Sequence, residues 1–223
     1  MRLKCLGSGS CGNCYLLENG TECLVIEAGI PFREVKKALD FNIRKIKAVV
    51  ISHEHGDHRK YWYEYVKAGI PVFEPYKNDG KWLGFIGSQF SVMAFDLVHD
   101  VPCYGFYIRH PEIGSLVYAS DTEYIKWRFK DVKHILVEAN YCKDFLDEVE
   151  EGNVKRNHVL TGHMEIQTTV DFLKANNSSS LQNVVLLHLS MYNADAEMFR
   201  CEASKVVDCP VWIAQKGFEL PLL

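Results

Sequence analysis

Three histidines and one aspartate stand close together in the segment AVVISHEHGDH, as His53, His55, Asp57 and His58. Imidazole and carboxylate groups are the donors with which proteins bind zinc, and they also suit manganese and iron. His53 and His55 are two residues apart, so on an extended segment their side chains point to the same side. Because one metal takes about four ligands from protein and water, this run predicts one wall of a metal site. It has enough donors to serve two adjacent ions.

The segment just before the histidine run is expected to position its side chains. Residues 46–52 form an apolar run with β-branched side chains, which is typical of a buried strand. Loops at strand ends carry chemistry on a rigid scaffold, so the missing donors are expected at other strand ends. Three residues satisfy this expectation, namely His99 after FDLV, Asp121 after LVYAS and His188 within VVLLHLS.

Shorter patterns predict the remaining elements. Asn19-Gly20 separates two apolar runs and indicates a β-hairpin. Strands are expected over residues 2–6, 15–18, 23–27, 71–73, 90–98, 103–110, 115–120, 134–138, 184–189, 211–214 and 217–220. Helices are expected over residues 32–41, 58–68, 164–174 and 194–206. The aromatic side chains between residues 61 and 65 favour core packing of the second helix over stacking on nucleic-acid bases.

The histidine run followed by His99, Asp121 and His188 resembles the ordered motifs of the metallo-β-lactamase superfamily. The resemblance implies one domain over residues 1–223 with an α/β fold, an αββα sandwich of two packed mixed β-sheets flanked by helices. It implies a hydrolase with two divalent metal ions, zinc before manganese or iron. The ligands implied for one metal are His53, His55 and His99. The ligands implied for the other are Asp57, His58 and His188, with Asp121 bridging both.

Three longer segments, LGSGSCGNCYLL, VHDVPCYGFYI and TGHMEIQTTVDFL, are similar to the YycJ/WalJ-like group, whose members are described as nucleases acting on DNA. Glu138-Ala139 and His163 also resemble segments of RNase Z. The resemblance implies that a metal-bridging hydroxide attacks phosphorus, with His163 as general acid and Glu138 orienting it. The candidate catalytic residues are His163, Glu138 and Asp57. Two alternatives stay open: His163 could cap the helix expected at Met164, and Glu138 could pair with a surface lysine.

The sequence departs from the family pattern at Glu27, where the superfamily usually has an aspartate that braces the metal-binding loop. The chain also lacks the extended basic arm with which RNase Z holds tRNA, which argues against tRNA processing. The resemblance to the YycJ/WalJ-like group favours DNA over RNA as the substrate. The lone histidines His110, His134 and His158 are interpreted as structural or exposed.

Composition limits the remaining possibilities. The chain has 223 residues, 48% of them hydrophobic, which suffices for one large domain with a substantial core. Its net charge is −4, so the chain as a whole does not show the excess of basic residues that many nucleic-acid-binding proteins have. With no signal-peptide pattern and no apolar run of membrane-spanning length, the eight cysteines indicate reduced thiols in a cytoplasmic protein. The lone pair Cys11 and Cys14 is not expected to bind zinc or act in redox chemistry.

Two other functions remain as alternatives to a nuclease. One is metal-dependent hydrolysis of a small ester, a thioester or a cyclic nucleotide, because a fold does not fix a substrate. The other is a metal-binding interaction module without catalysis, against which the complete set of donors argues. The sequence does not indicate an oligomeric state.

Overall fold

The structure is a computed structural model that describes residues 1–77, 83–84, 88–146 and 160–222, with the backbone alone at 83–84. The chain divides into two compact units. The first comprises Met1–Ala94, Ile108–Ile113 and Ala214–Leu223, and the second comprises Phe95–Tyr107 and Gly114–Ile213. His158, one of the three lone histidines, lies outside the described residues.

One mixed sheet lies in the first unit. Its strands are β1 (Arg2–Gly7), β2 (Cys14–Glu18), β3 (Cys23–Ile26), β4 (Ile46–Val50), β5 (Val72–Phe73) and β13 (Glu219–Pro221). They follow the order β13-β1-β2-β3-β4-β5, with antiparallel pairing from β13 to β3 and parallel pairing from β3 to β5. The helices of this unit are α1 (Phe32–Ala38), α2 (Gly56–Arg59) and α3 (Trp62–Lys67), with 3₁₀ turns at Ile43–Lys45 and Pro75–Lys77.

The other sheet is mixed as well. Its strands are β6 (Leu83–Gly84), β7 (Ser91–Leu97), β8 (Cys103–His110), β9 (Gly114–Ala119), β10 (His134–Glu138), β11 (Asn183–Leu187) and β12 (Val211–Ile213), in the order β12-β11-β10-β9-β8-β7-β6. Strands β9 to β12 are parallel, whereas β6 and β7 are antiparallel. The helices of the second unit are α4 (Lys143–Leu146), α5 (Ile166–Asn176) and α6 (Ala196–Ser204).

Helix α5 shows how the sequence builds the core of the second unit. Its buried apolar residues Ile166, Val170 and Leu173 recur at the spacing of one helical face. They share an apolar cluster with Ile135 and Val137 of β10. Every residue of β10 is buried, as expected for a parallel strand covered on both faces.

The predicted fold class is confirmed, because the structure contains two mixed β-sheets flanked by helices. The prediction of one helix over residues 58–68 is wrong. The chain forms α2 and α3 instead, with the break at Tyr61, whose backbone N–H donates to the carbonyl of Ala28 at 2.9 Å. Gly69 ends α3 with φ +75°, as its position predicts. Of the aromatic residues in this region, Tyr65 lies in the core, whereas Tyr63 is 44% exposed.

All eight cysteines are described and carry free thiols. Burial raises the pKa of the Cys14 thiol well above its ordinary value, which makes it a poor nucleophile and metal ligand near neutral pH. Its neighbour in the lone pair, Cys11, is exposed. Among the described helices, none combines the length and the apolar character needed to cross a membrane.

Candidate metal centre

The histidine run of the first unit forms a compact group of donors directly after β4. His53 and His58 are buried, and Asp57 and His58 lie on the single turn of α2. The ring centroids of His53 and His55 are 4.7 Å apart, and those of His53 and His58 are 4.3 Å apart. The first unit therefore brings together three of the five imidazoles that are predicted as ligands, those of His53, His55 and His58.

Asn13 holds two of these donors and was not predicted from the sequence. Its side-chain amide donates to Asp57 Oδ2 at 3.2 Å and lies 2.8 Å from His58 Nε2. Its backbone N–H donates to the carbonyl of Asp57 at 2.7 Å. The amide is itself oriented, because the backbone N–H of Gly9 donates to Asn13 Oδ1 at 2.8 Å. The segment GSGSCGN thus has a structural role beside the donors.

Glu27 braces the histidine loop even though the family pattern has an aspartate there. It is fully buried, with a left-handed backbone at φ +68°. The backbone N–H of Ser52 lies 3.3 Å from each of its carboxylate oxygens, and Oε1 is 3.4 Å from His58 Nδ1. The longer side chain therefore reaches both the start of the loop and the back of a predicted ligand, which is how surrounding carboxylates orient metal-binding histidines.

Gly29 lets the chain pass directly beside α2. A Cβ at this position would lie 1.7 Å from the carbonyl oxygen of Asp57, a distance that no side chain tolerates. The preceding residue, Ala28, donates its N–H to the carbonyl of His58 at 2.7 Å. The backbone after β3 therefore supports both donors of α2, and a side chain at residue 29 would displace them.

The donors of the second unit lie at the ends of adjacent parallel strands. Asp121 follows β9, Glu138 is the last residue of β10, and His188 directly follows β11. These strands are neighbours in the sheet, and Glu138 is in register with Leu187. Because the carboxyl ends of parallel strands meet at one edge, the predicted donors come together there. Asp121 and His188 both have left-handed backbones, at φ 55° and 53°.

Glu138 and His163 are in hydrogen-bonding contact. His163 Nδ1 is 2.7 Å from Glu138 Oε1. The other carboxylate oxygen of the buried Glu138 accepts the backbone N–H of Thr122 at 2.9 Å. The side chain of His163 is 12% exposed, so the ring is held from behind and open to a ligand.

This geometry decides between the alternatives that the sequence leaves open for these residues. Helix α5 begins at Ile166 and is capped by Glu165, whose side chain accepts the backbone N–H groups of Gln167 and Thr168, so His163 is not the cap. Glu138 is fully buried and contacts His163, rather than a surface lysine.

The donor chemistry of this group suits a divalent cation. Ligand atoms of four residues all lie within 4.8 Å of one another, and these residues are Asp121, Glu138, His163 and His188. Asp121 Oδ1 is 3.6 Å from His163 Nδ1 and 3.7 Å from His188 Nε2, and the two imidazole rings stack at 5.2 Å. Carboxylates facing imidazoles in a buried site form the kind of donor set that divalent metals occupy.

His99 and Asn140 complete the surroundings of this group. The His99 ring lies 6.2 Å from the His163 ring, and its Nε2 is 3.1 Å from Asp100 Oδ1. Asn140, which the sequence did not single out, places its side-chain amide 3.0 Å from His188 Nδ1 and donates to the His188 carbonyl at 2.8 Å. Asn140 therefore fixes the ring of a predicted ligand from the side opposite Nε2.

Two of the lone histidines are buried and have structural partners, as the sequence indicates. His110 Nε2 is 3.0 Å from a Glu22 carboxylate oxygen. His134 is fully buried, with its Nδ1 3.2 Å from the side-chain amide of Asn183. Neither belongs to a described group of metal-binding donors.

With this geometry in place, comparison with known proteins identifies the family. The family model described as Metallo-beta-lactamase superfamily matches residues 10–139. The chain belongs to the metallo-beta-lactamase superfamily. As a member of this superfamily it is a metal-dependent hydrolase that uses divalent metals.

Relatives within the superfamily confirm the predicted group. The chain is 24% identical over 225 residues to the Exodeoxyribonuclease WalJ of Streptococcus pneumoniae, covering 86% of this chain and 83% of the relative. It is also 24% identical over 250 residues to the Exodeoxyribonuclease YycJ of Bacillus anthracis, covering 98% and 91%. The solved structure of the metallo-beta-lactamase fold protein YhfI from Bacillus subtilis is similar in fold, with a TM-score of 0.71, 18% identity and 98% coverage of both chains.

Proposed function

We propose that this hydrolase cleaves phosphodiester bonds and that it is a nuclease acting on DNA. The observation that carries the proposal is the hydrogen-bonded pair of Glu138 and His163, 2.7 Å apart, beside Asp121. Water attacks a phosphodiester slowly, and the alkoxide that leaves from the diester needs a proton. An imidazole oriented by a hydrogen bond, such as that of His163, supplies this proton. Hydrolysis of lactams and thioesters at metal sites does not need such a pair.

We propose two divalent metal ions in this site, zinc before manganese or iron, because imidazole nitrogens dominate the donors. The residues proposed for one ion are His53, His55 and His99. The residues proposed for the other are Asp57, His58 and His188, with Asp121 shared by both. When bound, such ions activate water near neutral pH and neutralise charge on phosphoryl oxygens.

The residues of the chain then have distinct roles. Glu138 accepts a hydrogen bond from the Nδ1–H of the protonated His163, whose Nε2–H then delivers its proton to the leaving oxygen. General acid catalysis of this kind contributes about 10²–10⁴-fold to a rate. Asp57 is both a ligand and a candidate catalytic residue, and Asn13 fixes its carboxylate.

DNA is proposed as the substrate because the relatives found by sequence are named exodeoxyribonucleases. The free thiols agree with the reducing cytoplasm in which we propose that the protein acts. That the whole chain acts as one domain stays a prediction.

Hydrolysis of a small ester, a thioester or a cyclic nucleotide is the second candidate function, and the net charge of −4 favours it. A substrate panel separates the two candidates. It contains single- and double-stranded DNA, RNA, cyclic nucleotides and a thioester, each assayed with added zinc or manganese. Nucleotide release from DNA in excess of every small substrate supports the nuclease, whereas turnover of the small substrates alone contradicts it.

His163→Ala tests the role of the pair. The expected variant keeps the metal content of the wild type and loses most turnover of bis-p-nitrophenyl phosphate, by about 10²–10⁴-fold. Metal content distinguishes a general acid from a metal ligand, the other role that the position of His163 among the donors allows. If His163→Ala loses metal along with activity, His163 is a ligand and its proposed role as general acid is wrong.

A further inference from the structure

A groove of about 260 Å³ lies in the second unit between residues 124–128 and α5. On the helix side it is lined by Thr168, Asp171 and Ala175, which lie on one helical face. On the other side Tyr124 and Trp127 are 48% and 41% exposed, although large aromatic side chains are usually more deeply buried. The proposed chemistry uses neither the groove nor these rings.

The segment that carries the two rings is held rigidly. Ile125 and Phe129 pack against the apolar core of the second unit, and the backbone N–H of Phe129 donates to Asn176 Oδ1 at 2.7 Å. Trp127 donates its indole N–H to the carbonyl of Asp96 at 3.1 Å. The backbone that carries the rings is therefore already ordered before a ligand binds. This reduces the loss of conformational entropy of the protein on binding.

Cationic side chains alternate with the aromatic ones in this segment, which reads Tyr-Ile-Lys-Trp-Arg-Phe-Lys over residues 124–130. Lys126 pairs with Asp96. Arg128 is exposed, and no carboxylate of the described part of the chain lies within ion-pairing distance of it. Lys126 Nζ lies 5.1 Å from the centre of the Trp127 ring, and the opposite wall carries the carboxylate of Asp171. Arg128 therefore supplies the positive charge of the segment that faces solvent beside the two exposed aromatic side chains.

Two threonines next to the groove residues in sequence form hydrogen bonds with Glu138. Thr122 donates its backbone N–H to Glu138 and its hydroxyl to the carbonyl of Tyr124, at 2.9 Å each. On the helix side, the hydroxyl of Thr169 donates to the Glu138 carbonyl at 2.8 Å. In sequence, Tyr124 of the groove is two residues, and Thr168 one residue, from a threonine that is hydrogen-bonded to Glu138.

We propose that this groove binds a single-stranded polynucleotide next to the bond to be cleaved, with bases on Tyr124 and Trp127 and a phosphate at Arg128. The inference rests on the proposed phosphodiesterase function and adds where the strand lies. Aromatic stacking tolerates any base, because every base has a π-face. Positive charge at Arg128 complements the phosphate backbone. A duplex would hide its bases from these rings, so the groove selects a single strand or a frayed end.

Binding of a ten-nucleotide phosphorothioate oligothymidylate, followed by fluorescence anisotropy on metal-loaded protein, tests the proposal. Tyr124→Ala and Trp127→Ala should each raise the Kd by about 5- to 150-fold, the range measured for loss of one base stack. Trp127→Phe keeps an aromatic face and should restore most of the affinity. Arg128→Gln should lower the slope of log Kd against log salt by about 0.7, the value for one phosphate contact on a single strand.

Tyr63→Ala is the matched control, because Tyr63 is also an exposed tyrosine, at 44%, with Lys67 5.2 Å from its ring, but it lies in the first unit. It should bind the oligonucleotide as the wild type does. A Tyr63→Ala protein with weakened binding, beside a Trp127→Ala protein with wild-type binding, would overturn the proposal and place the strand on the other surface.

Hydrolysis of DNA and of bis-p-nitrophenyl phosphate by the same proteins separates this inference from the function on which it rests. If the wild type cleaves DNA and Trp127→Ala cleaves it equally well, the groove proposal fails and the nuclease stands. If the wild type cleaves neither substrate, the proposed function itself fails. The expected result is a loss on DNA for Trp127→Ala that exceeds its loss on the small diester by at least about fivefold.

Discussion

Replacing Glu138 by glutamine is the sharpest single perturbation of the proposed catalytic pair. The carboxylate has two acceptor oxygens, and both are used, one by His163 at 2.7 Å and one by the Thr122 N–H at 2.9 Å. Glutamine has nearly the same shape but only one acceptor oxygen. Because the site is fully buried, one of the two bonds must be lost, and the negative charge facing His163 is lost with it.

The size of the effect follows from the bond that is removed. Hydrogen bonds to charged groups contribute about 1.5–3 kcal/mol, and about 1.4 kcal/mol changes a rate tenfold. We therefore expect Glu138→Gln to lower kcat for bis-p-nitrophenyl phosphate by about 10- to 150-fold, with little change in KM. Metal content, measured on the same samples, should stay at the wild-type value.

Glu123→Gln is the control, because it removes a carboxylate from the neighbouring segment without touching His163. It should retain wild-type turnover. A Glu138→Gln protein with full metal content and a rate within about threefold of the wild type would refute the positioning role of Glu138. Loss of metal from this variant would identify Glu138 as a ligand, which its place among the donors of the second unit also allows.

Three further changes test the supports around the donors and the core. Glu27→Ala leaves the buried N–H of Ser52 without its acceptor, so it should cost about 1–3 kcal/mol in urea unfolding and weaken zinc binding by about 10- to 100-fold in a chelator competition. Gly29→Ala forces a Cβ against the Asp57 carbonyl, so its metal content should fall even where circular dichroism shows a folded chain. Burial lowers the pKa of His134 to about 4, below the value near 6.5 of an unfolded chain. As the pH falls below about 6.5 the unfolded chain takes up this proton first, so stability should drop by about 2 kcal/mol between about pH 7 and about pH 5. His134→Leu should remove that part of the pH dependence.

Much of the donor set could be predicted because its residues follow apolar strands. Asp121 comes directly after the strand-like run LVYAS, and His188 lies near the end of the apolar run VVLLHLS. If these strands are parallel neighbours, their carboxyl ends lie at one edge of the sheet, so predicting the strands is enough to predict that the donors meet. The nature of the donors, imidazole and carboxylate, was readable from residue types alone.

The supporting residues could not be predicted, because their signals are not local. Asn13 lies in a glycine-rich loop that reads only as irregular, and its amide reaches a donor 45 positions later. Asn140 follows a strand and reads as a turn residue until its contact with His188 is seen. Glu27 departs from the family pattern, and only its contacts with Ser52 and His58 in the folded chain show that the longer side chain still braces the loop.

The break between α2 and α3 was missed for the same reason. The helical pattern from residue 58 to 68 is continuous in sequence, but the N–H of Tyr61 is taken by the carbonyl of Ala28, 33 positions earlier. A hydrogen bond to a distant backbone group overrides local propensity here. That bond also fastens α2, and with it Asp57 and His58, to the chain after β3.

The central claim is that this chain is a metal-dependent phosphodiesterase acting on DNA, and one measurement tests it directly. The purified chain is stripped with a chelator, reloaded with zinc or manganese, and assayed for bound metal and for nucleotide release from linear DNA. We predict that the stripped protein is inactive and that activity returns as two ions bind per chain. A chain that binds two ions yet cleaves neither DNA nor bis-p-nitrophenyl phosphate would contradict the claim.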